Sequence, residues 1–307
     1  RTYGVLTREA GFYFYFSRKI RELRECGHEG TARAYASSLR SMQRYLGKKD
    51  FPFIKLSSRI ISDYQGKLLA SGICDNTIGF YLHNIKALFR KGCREMGLEL
   101  PCPFRDISIK TEKTLKRSLD PVVIKTLSAI ELEKDSPLSL ARDIFMFSFY
   151  TRGMSFVDIA LLKKRHVFPG EICYRRHKTD QLMRVGINKE ISRILERYKN
   201  VPGEYIFPLF PAERDPYAGY RSAYHRIRYS LGKISRVIGL EFPLRLHAAR
   251  HSWATIAKVN GASVHVIGEC LGHTSEKTTR IYLKELDHSA LDAVNNQVAD
   301  FILAVDD

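Results

Sequence analysis

Along the first hundred residues, apolar side chains recur three and four positions apart and the runs stop at glycines. That spacing predicts amphipathic helices. Thr7 can cap a first helix reaching Glu25, with Gly27 as its stop. Within it, Gly11-Phe-Tyr-Phe-Tyr-Phe16 is apolar but is followed at once by Ser17-Arg18-Lys19, which fits a half-buried helix and not a membrane span. Thr31 opens a second helix, with Ala34, Leu39, Met42 and Leu46 on one face and Gly47 at its end. Ser57 or Ser58 starts a third, ending near Gly72. Asn76-Thr77 opens a fourth, with Ile78, Leu82, Ile85 and Leu88-Phe89 inward, stopping before Gly97. Four helices of this length make a small bundle, so residues 1–100 read as one helical domain.

The pattern breaks over residues 101–118. Pro101 and Pro103 oppose helix, and Lys110, Lys113, Lys116 and Arg117 form a basic strap that reads as a linker. Residues 119–307 read as a second domain. Helices are predicted from Pro121 to Glu133, from Ser136-Pro137 to about Arg152 with Gly153 as the stop, and from a capping box at Ser155-Phe-Val-Asp158. Strict alternation appears in Glu171–Arg176 and Leu182–Ile187, which read as a β-hairpin turning through His177–Gln181. Further helices are predicted at about 188–199, 213–238, 247–260, 263–271, 275–286 and 289–304. The fold class is therefore mainly α: a helical bundle, then an α-helical domain with a small β-hairpin or sheet.

Charge sharpens this picture. The chain of 307 residues carries a net charge of +17, which points to a polyanionic partner. Residues 1–118 hold a net of +12 and the remainder +5, so the first domain and the linker concentrate the electrostatic attraction and suggest a clamp closing round a duplex. In the bundle, Arg33, Lys86 and Arg90 are candidate phosphate contacts. No apolar run approaches the roughly 20 residues of a membrane helix, and Arg1–Ala10 has no signal-peptide pattern. The six cysteines show neither C-x-x-C nor zinc-ligand spacing and read as reduced, mostly buried thiols of a cytosolic protein.

The candidate chemistry lies in the last quarter: His247-Ala-Ala-Arg250, Gly272-His273 and Tyr282. These residue types suit attack on a phosphodiester without a metal. Arg keeps its proton and can grip two phosphate oxygens, while a phenol becomes a nucleophile once its proton is removed. A leaving alkoxide needs a proton, and Lys178 at the hairpin tip could supply it. His251 adjoins Arg250 but faces about 100° away on a helix, which fits a structural hydrogen bond. The stripe Leu291, Val294, Val298, Phe301, Ile302 and Val305 fits either packing on its own domain or docking on a neighbouring subunit.

His247-Ala-Ala-Arg250-His251-Ser252, Leu271-Gly272-His273 and Thr278-Thr279-Arg280-Ile281-Tyr282 together resemble the carboxy-terminal signature of the tyrosine recombinases, the phage-integrase family. The gaps agree as well, with 23 residues from Arg250 to His273 and nine from there to Tyr282. The resemblance implies that Tyr282 attacks the scissile phosphate, forming a 3′-phosphotyrosyl bond and releasing a 5′-hydroxyl. It makes Arg250 the second catalytic arginine, His247 and His273 the two box histidines, and Lys178 the general acid. It implies no metal and no nucleotide cofactor. It also implies double-stranded DNA as partner, a monomer that assembles into a tetramer on two DNA sites, and a cytoplasmic, nucleoid-associated bacterial protein.

One departure matters. Where the family carries its first arginine, this chain has Ser155, with Arg152 three residues earlier. The Arg-Gly-Met-Ser pattern resembles integrases of conjugative transposons and DNA invertases of gut anaerobes. Arg152 is the candidate for the missing charge. The reading is thus a recombinase for DNA inversion or for integration and excision of a mobile element. The alternatives are a type IB-like topoisomerase, or a DNA-binding regulator with a decayed site. No arm-binding domain is evident ahead of the bundle.

Overall fold

The computed structural model describes residues 11–110, 112, 118–210, 216–273, 275 and 278–280. The chain divides into two compact units, residues 1–114 and 115–307.

The first unit is built from α1 (Phe12–Glu25), α2 (Glu29–Leu46), α3 (Ser58–Ala70) and α4 (Asp75–Met96). Ser57 caps α3 through its side chain, and Gly97 ends α4 in the left-handed conformation. The start of α1 is capped from a distance. Its N-cap is Gly11, which has no side chain, so the Asp50 carboxylate accepts from the amides of Tyr13 at 2.8 Å and Phe14 at 2.9 Å. Phe53, on a short 3-10 turn, plugs the centre: its ring meets Phe12, Tyr15 and Phe89 at centroid distances of 4.9, 5.3 and 5.9 Å. Gly92 of α4 makes room for it, since a Cβ there would fall 2.4 Å from the ring.

The predicted linker begins later than its composition suggests. Phe104 is buried in the first core, and Leu100, Cys102, Ile107 and Ile109 pack against that core. Asn76 and Glu112 exchange two hydrogen bonds, side-chain amide to carbonyl at 3.0 Å and backbone amide to side-chain oxygen at 3.1 Å. The described residues of the irregular segment 98–112 therefore belong with the bundle. Residues 113–117, which hold Lys113, Lys116 and Arg117, lie outside the described residues, as does the expected Thr7 cap.

The second unit is organised around α6 (Pro137–Tyr150), which packs against α5 (Pro121–Ala129), α8 (Lys189–Arg197), α9 (Pro216–Val237) and α10 (Leu246–Val259). Its run Ile144-Phe-Met-Phe147 is buried throughout, as expected of a helix apolar on most sides. Its one buried carboxylate, Asp143, is satisfied by Arg142 at 2.6 Å, Arg197 at 2.5 Å and the Tyr198 hydroxyl at 2.9 Å. After α6 come α7 (Phe156–Ala160) and an antiparallel sheet in the order β1 (Val167–Phe168), β2 (Glu171–Arg175), β3 (Leu182–Gly186). The hairpin pairs Glu171 with Gly186 and Arg175 with Leu182, so Ile172, Tyr174, Met183 and Val185 share the buried face. The two-residue β1 is an addition to the predicted hairpin. α11 (Val264–Leu271) is capped by Ser263 and closed by Gly272 in the left-handed conformation. The predicted helix at 289–304 and its apolar stripe lie outside the described residues.

Among the described residues no helix is long and apolar enough to cross a membrane. All six cysteines are free thiols, but none is fully buried: Cys26 and Cys74 are exposed and the others half-buried. Because Phe53 fills the centre of the first unit, Phe53→Ala is expected to destabilise that unit by about 3–5 kcal/mol in a denaturant titration. A loss below about 1 kcal/mol would show that the bundle does not depend on this ring.

Candidate active site

Among the described residues of the second unit, Arg250 is the one buried cation. It lies on the second turn of α10, 5 % exposed. Its Nη1 donates to the Gly153 carbonyl at 2.8 Å, and its Nη2 donates to the Leu271 carbonyl at 2.5 Å and lies 3.0 Å from His273 Nε2. A buried guanidinium needs such acceptors, because its desolvation is otherwise uncompensated. Three chain segments therefore converge on one side chain: the turn after α6, α10 and the end of α11.

The turn after α6 is shaped for this purpose. Arg152 and Gly153 adopt consecutive left-handed conformations, with φ of 60° and 75°. Gly153 N closes α6 on the Ser148 carbonyl at 2.7 Å. A Cβ on Gly153 would come within 2.5 Å of Arg250 Cγ and 2.8 Å of its Cα, so only glycine lets this turn lie on the arginine stem. Two residues on, Ser155 caps α7 and donates its hydroxyl to Asp158 Oδ2 at 2.6 Å. The other carboxylate oxygen, Oδ1, accepts the His177 amide at 2.8 Å, which fastens the hairpin turn to α7.

His273 follows the left-handed Gly272, and its amide bonds back to the Gly268 carbonyl at 2.9 Å. Arginine can only donate, so Nε2 presents its lone pair to Arg250. Nδ1 then carries the proton and donates to the hydroxyl of buried Thr279 at 3.0 Å. Burial, then the charges of Arg250, Arg176 and Lys178, hold the imidazole down to about 4, well below its usual value. His273 is therefore a neutral acceptor near pH 7.

The hairpin brings further cations. Arg176 donates through Nη1 to the Gly272 carbonyl. Lys178 is exposed in the turn, which Asp180 closes by donating its amide to the Arg176 carbonyl at 2.8 Å. Tyr174 is buried beneath them; burial and Asp158 push its phenol up, while Arg176, Arg250 and Arg152 pull it down.

The predicted site residues thus divide. Arg250, His273 and the hairpin carrying Lys178 come together. His247 is exposed on the first turn of α10 and sets its ring edge-on to that of His251, 4.8 Å between centroids. Arg152 reaches towards the sheet, its Nη1 3.4 Å from the Arg184 carbonyl. Tyr282 lies outside the described residues. In the first unit, Lys86 and Arg90 are one turn apart on α4, and Arg33 on α2 pairs with Glu29 at 2.7 Å. Sequence reasoning missed Arg176 as a site residue, along with Asp158 and Thr279. It also missed a cleft of about 670 Å³ lined by His225, Arg228, Lys233 and Arg236 of α9 with Arg245. The spacing of those four residues along α9 is the signal that could have revealed one basic helix face.

The depressed His273 fixes the sign of a pH effect. Its folded value lies below the ordinary one, so its contribution to stability is complete above about pH 6.5 and is lost as pH falls towards 4. Ring resonances of His273 followed by NMR are expected to titrate near pH 4, and a midpoint near 6.5 would contradict this pocket. Gly153→Ala is expected to cost about 2–4 kcal/mol, from the clash with Arg250 together with the left-handed backbone. Thermal unfolding checks it, and an unchanged transition would refute the close approach.

Comparison with known proteins places this geometry. Residues 118–288 match the phage integrase family and residues 11–104 match the phage integrase SAM-like domain. The chain is 26 % identical over 226 residues to tyrosine recombinase XerC of Shewanella oneidensis, covering 70 % of each. It is 24 % identical over 262 residues to tyrosine recombinase XerD of Pseudomonas putida, covering 83 % of this chain and 86 % of that one. Its fold is similar to the Tn1549 transposon integrase solved with a circular intermediate DNA, with a TM-score of 0.68, 15 % identity, and 94 % and 99 % of the two chains covered. It is also similar to a lambda integrase dimer bound to a core site, with a TM-score of 0.67, 17 % identity, and 91 % and 98 % covered. With both units matched in order, the chain belongs to the phage integrase family.

Proposed function

We propose that this chain is a site-specific DNA recombinase that cuts and rejoins duplex DNA through a 3′-phosphotyrosyl intermediate. The observation that carries the reading is the convergence of Arg250, a neutral His273 and the Lys178 hairpin, nine residues before Tyr282 in sequence.

Tyr282 Oη attacks the phosphorus as its proton passes to a water molecule or a phosphate oxygen, and neutral His273, whose Nε2 accepts from Arg250, keeps that guanidinium in place. The new bond joins Oη to the 3′-phosphate, and the bond from phosphorus to the 5′ oxygen breaks. Lys178, exposed on its four-carbon stem, gives the leaving oxygen its proton. Arg250 holds the non-bridging oxygens from a fixed position, so little reorganisation is needed as charge develops. His247 meets the same phosphate from the first turn of α10, and Arg152 adds positive charge on the hairpin side. Attack by a 5′-hydroxyl of a second strand reverses the steps, so the energy of the phosphodiester is kept and no cofactor is consumed.

In this reading the first unit is the core-binding domain, and Arg33, Lys86 and Arg90 touch backbone phosphates. The second unit is catalytic, and the basic cleft of α9 adds phosphate contacts. The chain is a monomer when free and a tetramer on two double-stranded DNA sites, in the bacterial cytoplasm. It inverts a chromosomal segment, or integrates and excises a mobile element.

The test is covalent capture from a pool of nicked duplexes with a randomised core. The wild-type chain is expected to yield a protein–DNA adduct that survives denaturation, and Tyr282→Phe to yield none. Arg250→Ala is expected to slow capture by about 100-fold or more. Binding without any adduct from the wild type would leave the DNA-binding regulator and sink the recombinase.

A further inference from the structure

A phosphate passing through a pentavalent state carries more charge than one guanidinium neutralises, and Ser155 brings none, its hydroxyl being committed to Asp158 at 2.6 Å. Arg152 is turned to the Arg184 carbonyl on β3. The cation that stands beside Arg250 is Arg176. We propose, building on the recombinase reading, that Arg176 is the second guanidinium of the phosphate site. Arg176 and Arg250 dock on the consecutive carbonyls of Gly272 and Leu271 and share the non-bridging oxygens of one phosphate.

Three observations carry this. First, the two guanidinia are brought together by neutral acceptors. Among the described residues no carboxylate pairs with Arg176, so the mutual repulsion of the two cations is relieved by an anion between them. Second, Arg176 is held at its root. Its amide donates to the Gln181 carbonyl at 2.8 Å and its carbonyl accepts from Asp180 at 2.8 Å, which fixes it at the base of the hairpin turn. That turn is pressed on the Gly272 backbone, where a Cβ would meet Met183 Sδ at 2.9 Å and Gln181 Oε1 at 3.3 Å. Third, the charges of Arg250 and Arg176 both act on His273. With one N–H on Gly272, the Arg176 fork still has four donors for an oxyanion.

Two measurements on the full chain test the assignment. In the first, inorganic phosphate is titrated while the His273 ring resonances are read by NMR. Wild type is expected to show saturable shifts, weakened roughly 10- to 100-fold in Arg176→Ala and in Arg176→Gln, with Arg193→Ala as the control that keeps wild-type behaviour. Absence of shifts in wild type, or wild-type affinity in both Arg176 variants, overturns the proposal. This arm does not involve Tyr282, so it can succeed where the recombinase reading fails. In the second, the captured duplex is remade with a methylphosphonate at the cleaved position, which replaces one charged oxygen by a methyl group. The cleavage deficit of the Arg176 variants is expected to shrink at least 10-fold on that substrate. An undiminished deficit would mean that Arg176 only braces the turn.

Discussion

The candidate site of the second unit is built around one buried cation. Arg250 is out of water, and its guanidinium is tolerated because backbone carbonyls replace the lost hydration. The carbonyls come from Gly153 and Leu271, so the turn after α6 and the end of α11 must both reach α10. Gly153 is needed for the approach, and Gly272 then aims His273 at the same side chain. These bonds place Arg250 before any ligand arrives, which is the condition for stabilising charge as it develops.

The electrostatics around that cation are sorted. Burial, then the charges of Arg250, Arg176 and Lys178, keep His273 neutral. The nearby carboxylate, Asp158, is occupied by the Ser155 hydroxyl and the His177 amide. It holds the hairpin in place. Ser155 thus has a definite structural task, and the positive charge expected at its place enters from the hairpin, a different element.

Much of the fold was legible because its signals are local. Serine caps at 57, 136 and 155 and the glycine stop at 97 sit where the chain predicts them, since a cap or a left-handed stop is decided within four or five residues. The alternation of β2 and β3 was equally plain. What escaped depends on distant partners. β1 is two residues long and exists only by pairing with β2. The segment around Phe104 reads as linker because one buried aromatic among prolines and cations leaves no period, yet it completes the first core. The start of α1 draws its cap from Asp50, nearly forty positions on. At the site, Arg250 and His273 were readable from their motif. Arg176 was hidden among Arg175, Lys178 and Arg184, because alternation tells which face a strand residue takes but not which carbonyl a guanidinium finds.

The proposed reaction makes a chemical bond at one named atom, and mass spectrometry reads that bond directly. The protein captured on DNA is trimmed with nuclease and digested with trypsin, which cuts after Arg280 and Lys284. A nucleotide mass on the peptide Ile281-Tyr282-Leu283-Lys284, localised to the Tyr282 oxygen and attached through a 3′-phosphate, is the result predicted. The same mass on any other residue, or a 5′-phosphate linkage, would contradict it.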